Sequence, residues 1–228
     1  MNRPRERMSM KIWLSWSSGK DSAWSLQVLR SRPDVEVVGL LTTVNAEHDR
    51  VAMHGVRREL LEAQAAAAGL PLIAVDLPWP CDNEAYAQRM RAACARARTE
   101  GVEGVAFGDL YLEDVREYRE AQMRSTGLEP LFPLWGRDTS ELVHEMLEAG
   151  LSAVLTCVDS RQLDASFAGR VLDERLLGEL PEGVDPCGEG GEVHTFVTRG
   201  PMLKAPIEIV LGEVVDRDGF VFADALPA

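Results

Sequence analysis

Lys11-Ile-Trp-Leu-Ser-Trp-Ser17-Ser18-Gly19-Lys20-Asp21-Ser22 is the stretch that decides the reading of this chain. Its first half is a short apolar run ending on small residues, which predicts a first strand. From residue 20 to 31 apolar side chains recur at Ala23, Leu26 and Leu29, the spacing of a helix. Between strand and helix stand three serines, a glycine and a lysine. Glycine lets backbone approach a ligand closely, and a helix start offers unpaired N–H groups with a partial positive charge. With the serine hydroxyls and Lys20 added, this loop suits a bound pyrophosphate group. It is not the Gly-x-x-x-x-Gly-Lys-Ser/Thr nucleotide loop, because an aspartate follows the lysine.

Working outward, β-branched and apolar runs at 35–42, 70–77 and 102–109 predict three more strands. Segments at about 52–68, with Gly69 as its stop, and at 84–99 predict the helices between them. Alternating strands and helices imply an α/β unit, a parallel sheet covered on both faces. Such sheets bind ligands at the carboxyl ends of their strands, near a switch in strand order. The loops after residues 16, 42, 77 and 107 are therefore the places for a site, and Thr42 and Thr43 close the second strand there. After Pro133 the pattern changes. Asp138 with Glu141 three residues on predicts a helix running to Gly150, followed by a strand at 151–158. Three apolar stretches at 193–197, 206–215 and 219–222 follow, the last two joined by the hairpin signal Asp216-Arg-Asp-Gly219. The expected organisation is a flexible leader at 1–9, a nucleotide-type parallel-sheet domain at 10–133 and a smaller α+β domain at 134–228.

The composition, 46% hydrophobic and 27% charged over 228 residues, is that of a soluble globular protein. No apolar run nears the roughly 20 residues that span a membrane, and the polar start does not read as a secretion signal, so a cytoplasmic location is expected. Cys81, Cys94, Cys157 and Cys187 lack Cys-x-x-Cys spacing, which argues against structural zinc, iron–sulfur and disulfide frameworks. The net charge of −13 is uneven. Residues 1–133 hold 17 basic and 19 acidic side chains, whereas residues 134–228 hold 7 and 18. That second half repels a polyanion, making nucleic acid an unlikely partner and favouring a neutral, cationic or small substrate.

Ser17-Ser-Gly-Lys-Asp-Ser22 resembles the Ser-Gly-Gly-x-Asp-Ser loop of the N-type ATP pyrophosphatases, with Ser18 in place of the first glycine. That replacement requires backbone angles open to a residue with a Cβ. Two further strings, Gly108-Asp109-Leu-Tyr-Leu-Glu-Asp-Val-Arg116 and Gly188-Glu-Gly-Gly-Glu-Val-His-Thr-Phe196, together with Phe132-Pro-Leu-Trp135, resemble the diphthine–ammonia ligase family and its bacterial relatives over residues 10–210. The resemblance implies a HUP-like (adenine nucleotide alpha hydrolase-like) nucleotide domain. It implies ATP-dependent amidation: a carboxylate is adenylated, ammonia displaces AMP, and pyrophosphate is released, with ATP and magnesium required. Ser17, Ser18, Gly19, Lys20 and Ser22 would cradle phosphates, with Lys20 and Asp21 in catalytic roles. Asp21 and Asp109 would be candidates for magnesium, Gly108 would permit close approach, and Thr42 and Thr43 would line the adenine pocket. Gly188, Glu189, Glu192, His194 and Thr195 would form the acceptor site. Arg116 and Arg119 recur at helical spacing beside Glu113 and Glu120, so a salt-bridged surface face competes with a phosphate role; Arg116 is kept as the candidate substrate contact. If Glu192 and His194 share a strand, they project to one face, where they and Glu189 could handle protons. Cys187 receives no role, and His54 reads as a helix-start histidine that could approach the nucleotide. In a bacterial branch the acceptor could be a small carboxylate. A homodimer is a possible assembly. The competing readings are a PP-loop tRNA-modifying enzyme and a non-catalytic ATP- or AMP-binding sensor.

Overall fold

The computed structural model describes residues 9–51 and 54–228. Five parallel strands form the first sheet. Strand β1 (Met10–Ser15) lies between β2 (Val35–Asn45) and β5 (Gly104–Ala106); β2 also pairs with β4 (Leu72–Leu77), and β5 with β6 (Glu129–Leu131). A two-residue strand, β3 (Arg50–Val51), runs antiparallel to the end of β2. The chain thus builds the sheet in one direction from β1, then returns to β1's other side with β5. The crevice for a ligand lies at that switch, beyond the ends of β1 and β5.

Helices α1 (Lys20–Arg30), α2 (Arg58–Ala68), α3 (Asn83–Thr99) and α4 (Glu113–Arg124) cover this sheet. Alternating side chains of β1 serve its two faces: Ile12 and Leu14 join one core with Leu26 and Leu61, while Trp13 joins a second with Cys94, Ala97 and Met123. Two differences from the sequence expectations have local causes. Helix α2 begins at Arg58, because His54 to Val56 turn back instead, with Val56's carbonyl accepting from Val51 N. Strand β6, which the pattern does not predict, has only three residues and carries Pro130. A proline has no N–H to give a ladder, and a sheet edge tolerates it.

Past α5 (Thr139–Glu148) a second, antiparallel sheet runs in the order β8 (Val193–Arg199), β7 (Ser152–Asp159), β10 (Phe220–Pro227), β9 (Ile209–Arg217), with the short α6 (Glu174–Glu179) between β7 and β8. The β9–β10 turn is the expected hairpin: Asp218 and Gly219 have φ of 55° and 85°, the left-handed pair that an Asp-Gly turn supplies. Both layers share one core, and β10 is tied to the first unit by Asp224, which accepts from Arg50 and Arg57. Among the described residues no helix is long and apolar enough to cross a membrane.

Candidate active site

Gly19 caps α1 in extended backbone, and no side chain caps the helix. The helix N-terminus is therefore held by other means. Lys20 N donates to Thr195 Oγ1 at 3.0 Å, and Ser22 Oγ turns back to the Gly19 carbonyl at 2.9 Å. The Ser18 carbonyl accepts from Val197 N at 3.0 Å and from Gln64 Nε2 at 3.1 Å. Gln64, fully buried on α2, also donates to the Val197 carbonyl and accepts from Trp16 Nε1. One amide thus joins the end of β1, the loop and β8.

Ser18 has φ of +73°. The sequence reading required angles open to a residue with a Cβ, and the loop instead adopts the left-handed conformation that glycine takes freely, at a cost of about 1–2 kcal/mol for serine. The Ser18 hydroxyl is buried without a partner, so it supplies no offset. The backbone bonds to Gln64 and Val197 hold the strain in place.

Loop, strand ends and second sheet enclose a cleft of 390 Å³. Ser17, Lys20, Asp21 and Ser22 line it, as do Thr42, Thr43, Gly108, Asp109, Gly188, Glu189, His194 and Thr195. Four stretches, at 17–22, 42–43, 108–109 and 188–195, therefore meet at one place. Thr42 Oγ1 donates to the Trp16 carbonyl at 2.7 Å, pinning the end of β2 to the loop. Gly108 permits close approach to the loop itself: a Cβ there would sit 3.1 Å from the Asp21 carbonyl carbon and 3.2 Å from Ser22 N.

Lys20 is buried, its ammonium held by both Asp21 oxygens at 2.8 and 2.9 Å and by the Cys187 carbonyl. Burial is the largest influence and works against its charge, but Asp21, Cys187 and Asp185 together leave the pKa above the ordinary lysine value. Cys187 itself is an unreactive thiol, raised to about 12 chiefly by burial. Glu189 reaches across to accept from Leu110 N at 2.7 Å. Burial, with help from Asp21 and Asp109, raises its pKa to about 7 despite that bond. Asp109 is likewise raised by burial, with Arg119 opposing. Beside these acids, burial lowers His54 to about 3 and His194 to about 4, so both imidazoles are neutral at neutral pH.

Four residues singled out in the sequence do not line the cleft: Ser18 and Gly19, whose backbone shapes the loop from behind the wall, and Glu192 and Arg116. Strand β8 begins at Val193, so Glu192 is not in register with His194. Its carboxylate curls over Gly190, accepts from Asp185 N at 3.2 Å and lies outside the cleft wall. Arg116 also lies outside the wall: its guanidinium stacks 4.8 Å from the Phe132 ring and 4.7 Å from the Trp135 ring, and it donates to Glu120 on the next turn. That joins the Phe132–Trp135 string to α4. The arginine lining the cleft is Arg119, over the Phe107 ring and 3.7 Å from Asp109. The sequence pairs it with Arg116 at helical spacing, where a phosphate role competes with a salt-bridged face, but singles out only Arg116 as a site residue. Sequence reasoning missed Tyr86, Met90 and Gln122 in the wall, where nothing distinguishes them from ordinary helix residues. Asp185 is a further omission, accepting from Tyr111 Oη, Cys187 N and Glu189 N and so fastening the segment at 187–189 to the loop after β5.

The comparisons with known proteins follow the same geography. A model of the diphthamide synthase N-terminal domain matches residues 10–130, and one of the diphthamide synthase C-terminal domain matches 138–221. The chain is 28% identical to the diphthine–ammonia ligase of Bos taurus over 94% of its length and 88% of that protein's. It is 30% identical to that of Danio rerio, over 91% and 89%. The human enzyme of the same name is 35% identical over 54% of this chain and 48% of its own. Overlap with a solved dehydrogenase of Bordetella bronchiseptica, at TM-score 0.31 and 11% identity over 96% of this chain and 61% of that one, carries no argument. The two domain matches, in order and spanning both layers that wall the cleft, show that this chain belongs to the diphthamide synthase family.

Proposed function

We propose that this chain is an AMP-forming amide ligase, which adenylates a carboxylate with ATP and transfers ammonia to it. The observation that carries the reading is the meeting of the Ser17–Ser22 loop, the Gly108–Asp109 turn and the Gly188–Thr195 segment in one cleft. The names of the relatives, diphthine–ammonia ligases, support ammonia as the nucleophile and a ligase reaction.

The chemistry divides along the cleft. Backbone N–H groups at the start of α1, with the Ser17 and Ser22 hydroxyls, receive the β- and γ-phosphates. Thr42 and Thr43 border the nucleoside end. A carboxylate oxygen attacks the α-phosphorus, the bond to the bridging oxygen breaks, and pyrophosphate leaves. Adenylation is needed because a carboxylate is a poor electrophile; the protein's part is to hold both reactants in line and neutralise developing charge. Arg119 is the guanidinium available in the cleft wall for that. Ammonia then attacks the acyl carbon, AMP departs with the former carboxylate oxygen, and a proton must be removed from nitrogen. Glu189 and His194, both lining the second-layer side of the cleft, are the groups to accept it; Glu192, turned away, positions the loop through Asp185.

Magnesium belongs to this proposal. Asp109 Oδ2 is buried without a hydrogen-bond partner among the described residues, its ion pair with Arg119 Nε being a loose 3.7 Å, while both oxygens of Asp21 are occupied by Lys20. Among the described residues no group of three or more His, Cys, Asp and Glu is arranged to hold a metal. This donor set fits a magnesium ion that takes one or two protein carboxylates and completes its shell with phosphate oxygens and water; bound there, it would neutralise phosphate charge.

The acceptor is proposed as a carboxylate compound, either diphthine, as the relatives' names state, or a small carboxylate. The acidic balance of residues 134–228 and the cleft carboxylates favour one that carries positive charge. We further propose the division into 10–133 for ATP and 134–228 for acceptor, and action in the cytoplasm. Incubation with ATP, magnesium, ammonia and a panel of cationic and neutral carboxylates should give AMP and pyrophosphate in equal amounts. ADP and phosphate would overturn the reading.

A further inference from the structure

His54 and His194 face one another directly beside the Ser17–Ser22 loop, with ring centroids 4.6 Å apart. His54 comes from the turn between β3 and α2, His194 from β8, and both line the cleft. A Cβ on Gly19 would lie 3.0 Å from His54 Cε1, so this ring packs directly on the loop backbone. His54 Nδ1 is 3.3 Å from the Thr195 carbonyl oxygen. A carbonyl only accepts, so Nδ1 carries the hydrogen and Nε2 of the neutral ring keeps a lone pair. In that form Nε2 cannot donate to a phosphate oxygen.

The charged and titratable groups that face His54 are Lys20 from α1 and His194 from β8; among the described residues no carboxylate pairs with either ring. Burial, then His194 and Lys20, disfavour the imidazolium. A single negative charge about 4 Å away in a partly buried setting favours it by roughly a thousandfold. A polyphosphate brings more than one.

We propose that His54 is a proton-linked wall of the phosphate site: when a polyphosphate settles on the Ser17–Ser22 loop, His54 takes a proton from solvent at Nε2, donates it in a hydrogen bond to a phosphate oxygen, and returns it when pyrophosphate leaves. This rests on the loop's binding ATP, as proposed above. It gives the protein an added donor on the polyphosphate side of the loop and makes nucleotide and pyrophosphate affinity rise as pH falls.

The test is calorimetric titration with α,β-methylene-ATP, which cannot be cleaved to pyrophosphate, at about pH 6 to 8 in pairs of buffers with different ionisation enthalpies. Wild-type protein should take up close to one more proton per nucleotide than His54→Asn near the lower limit. Its affinity should fall by up to about tenfold for each pH unit between the free and the bound pKa of His54 and level off above the bound one, a trend absent from the variant. Asparagine keeps a donor for the Thr195 carbonyl but does not titrate, and the difference between the proteins cancels protonation of the nucleotide itself. Equal proton uptake by both overturns the role of His54 while leaving ATP binding intact. No binding by wild type overturns both. Should His54→Asn fail to fold, the ¹⁵N shifts of the wild-type imidazole report the same event: protonation on adding nucleotide supports the proposal, and a neutral ring at about pH 6 overturns it.

Discussion

Gln64 is the residue whose removal should do most harm for its size. It is fully buried and makes three side-chain hydrogen bonds, accepting from Trp16 Nε1 at 3.0 Å and donating to the carbonyls of Ser18 at 3.1 Å and Val197 at 2.7 Å. Replacing it by leucine keeps the volume and removes all three. Each bond contributes about 1 kcal/mol net, and a buried group left unpaired costs a further 1–3 kcal/mol or so. Ser18's carbonyl keeps Val197 N as a donor, but Trp16, 1% exposed, has no other partner for its indole N–H among the described residues. The total for Gln64→Leu is about 4 kcal/mol, or a fall in melting temperature of roughly 10 °C. Urea denaturation at fixed pH measures it, with Glu62→Ala on the exposed side of the same helix as the control, expected within about 0.5 kcal/mol. Because Gln64 holds Ser18, titration of the folded variant with ATP should also show weakened binding. A stability change below about 1 kcal/mol, with ATP affinity unchanged, refutes the view that this amide sets the loop.

Other consequences follow from the same geometry. Ser18→Gly should relieve left-handed strain of about 1–2 kcal/mol against a chain-entropy cost of about 0.5–1 kcal/mol, a net gain of up to about 1 kcal/mol that a thermal melt resolves. Glu189, at about 7 when folded, favours its protonated form; stability it confers below its unfolded pKa is lost as pH rises through 7, so Glu189→Gln should match wild type near pH 4 and exceed it by on the order of 1 kcal/mol at pH 8, solvent screening of this half-buried group limiting the gain. His54 and His194 are lowered to about 3 and about 4 and act in the opposite sense: stability present above pH 6.5 is lost as pH falls toward those values. The acid limb of the stability curve should therefore flatten in His54→Asn. Asp224, which burial would raise but Arg50 and Arg57 hold at about 2, links the two layers, and Asp224→Asn should cost on the order of 1 kcal/mol above pH 4, less in high salt.

The central site was largely visible in the sequence because its motifs are local. A strand, a small-residue loop and a helix are specified by consecutive residues, and the Asp-Gly hairpin turn by two. What was not visible depends on distant partners. Gln64 in an Ala-rich helix reads as a good helix former, and only folding brings Trp16 and Val197 to it. The φ of Ser18 is imposed by those same contacts. Glu192 looked equivalent to Glu189, yet the glycines beside it turn its carboxylate inward before β8 begins. Arg116 and Arg119 share a helix and a charge pattern; the aromatic string at 132–135 captures the first and leaves the second to the cleft.

The central claim is that a carboxylate oxygen is bonded to the α-phosphorus before ammonia arrives. With an acceptor found in the carboxylate panel, its carboxyl group labelled with ¹⁸O, mass spectrometry of the products tests this directly. The account predicts AMP carrying one ¹⁸O atom for each amide formed, with pyrophosphate unlabelled. Label in inorganic phosphate, with ADP as the nucleotide product, would contradict it.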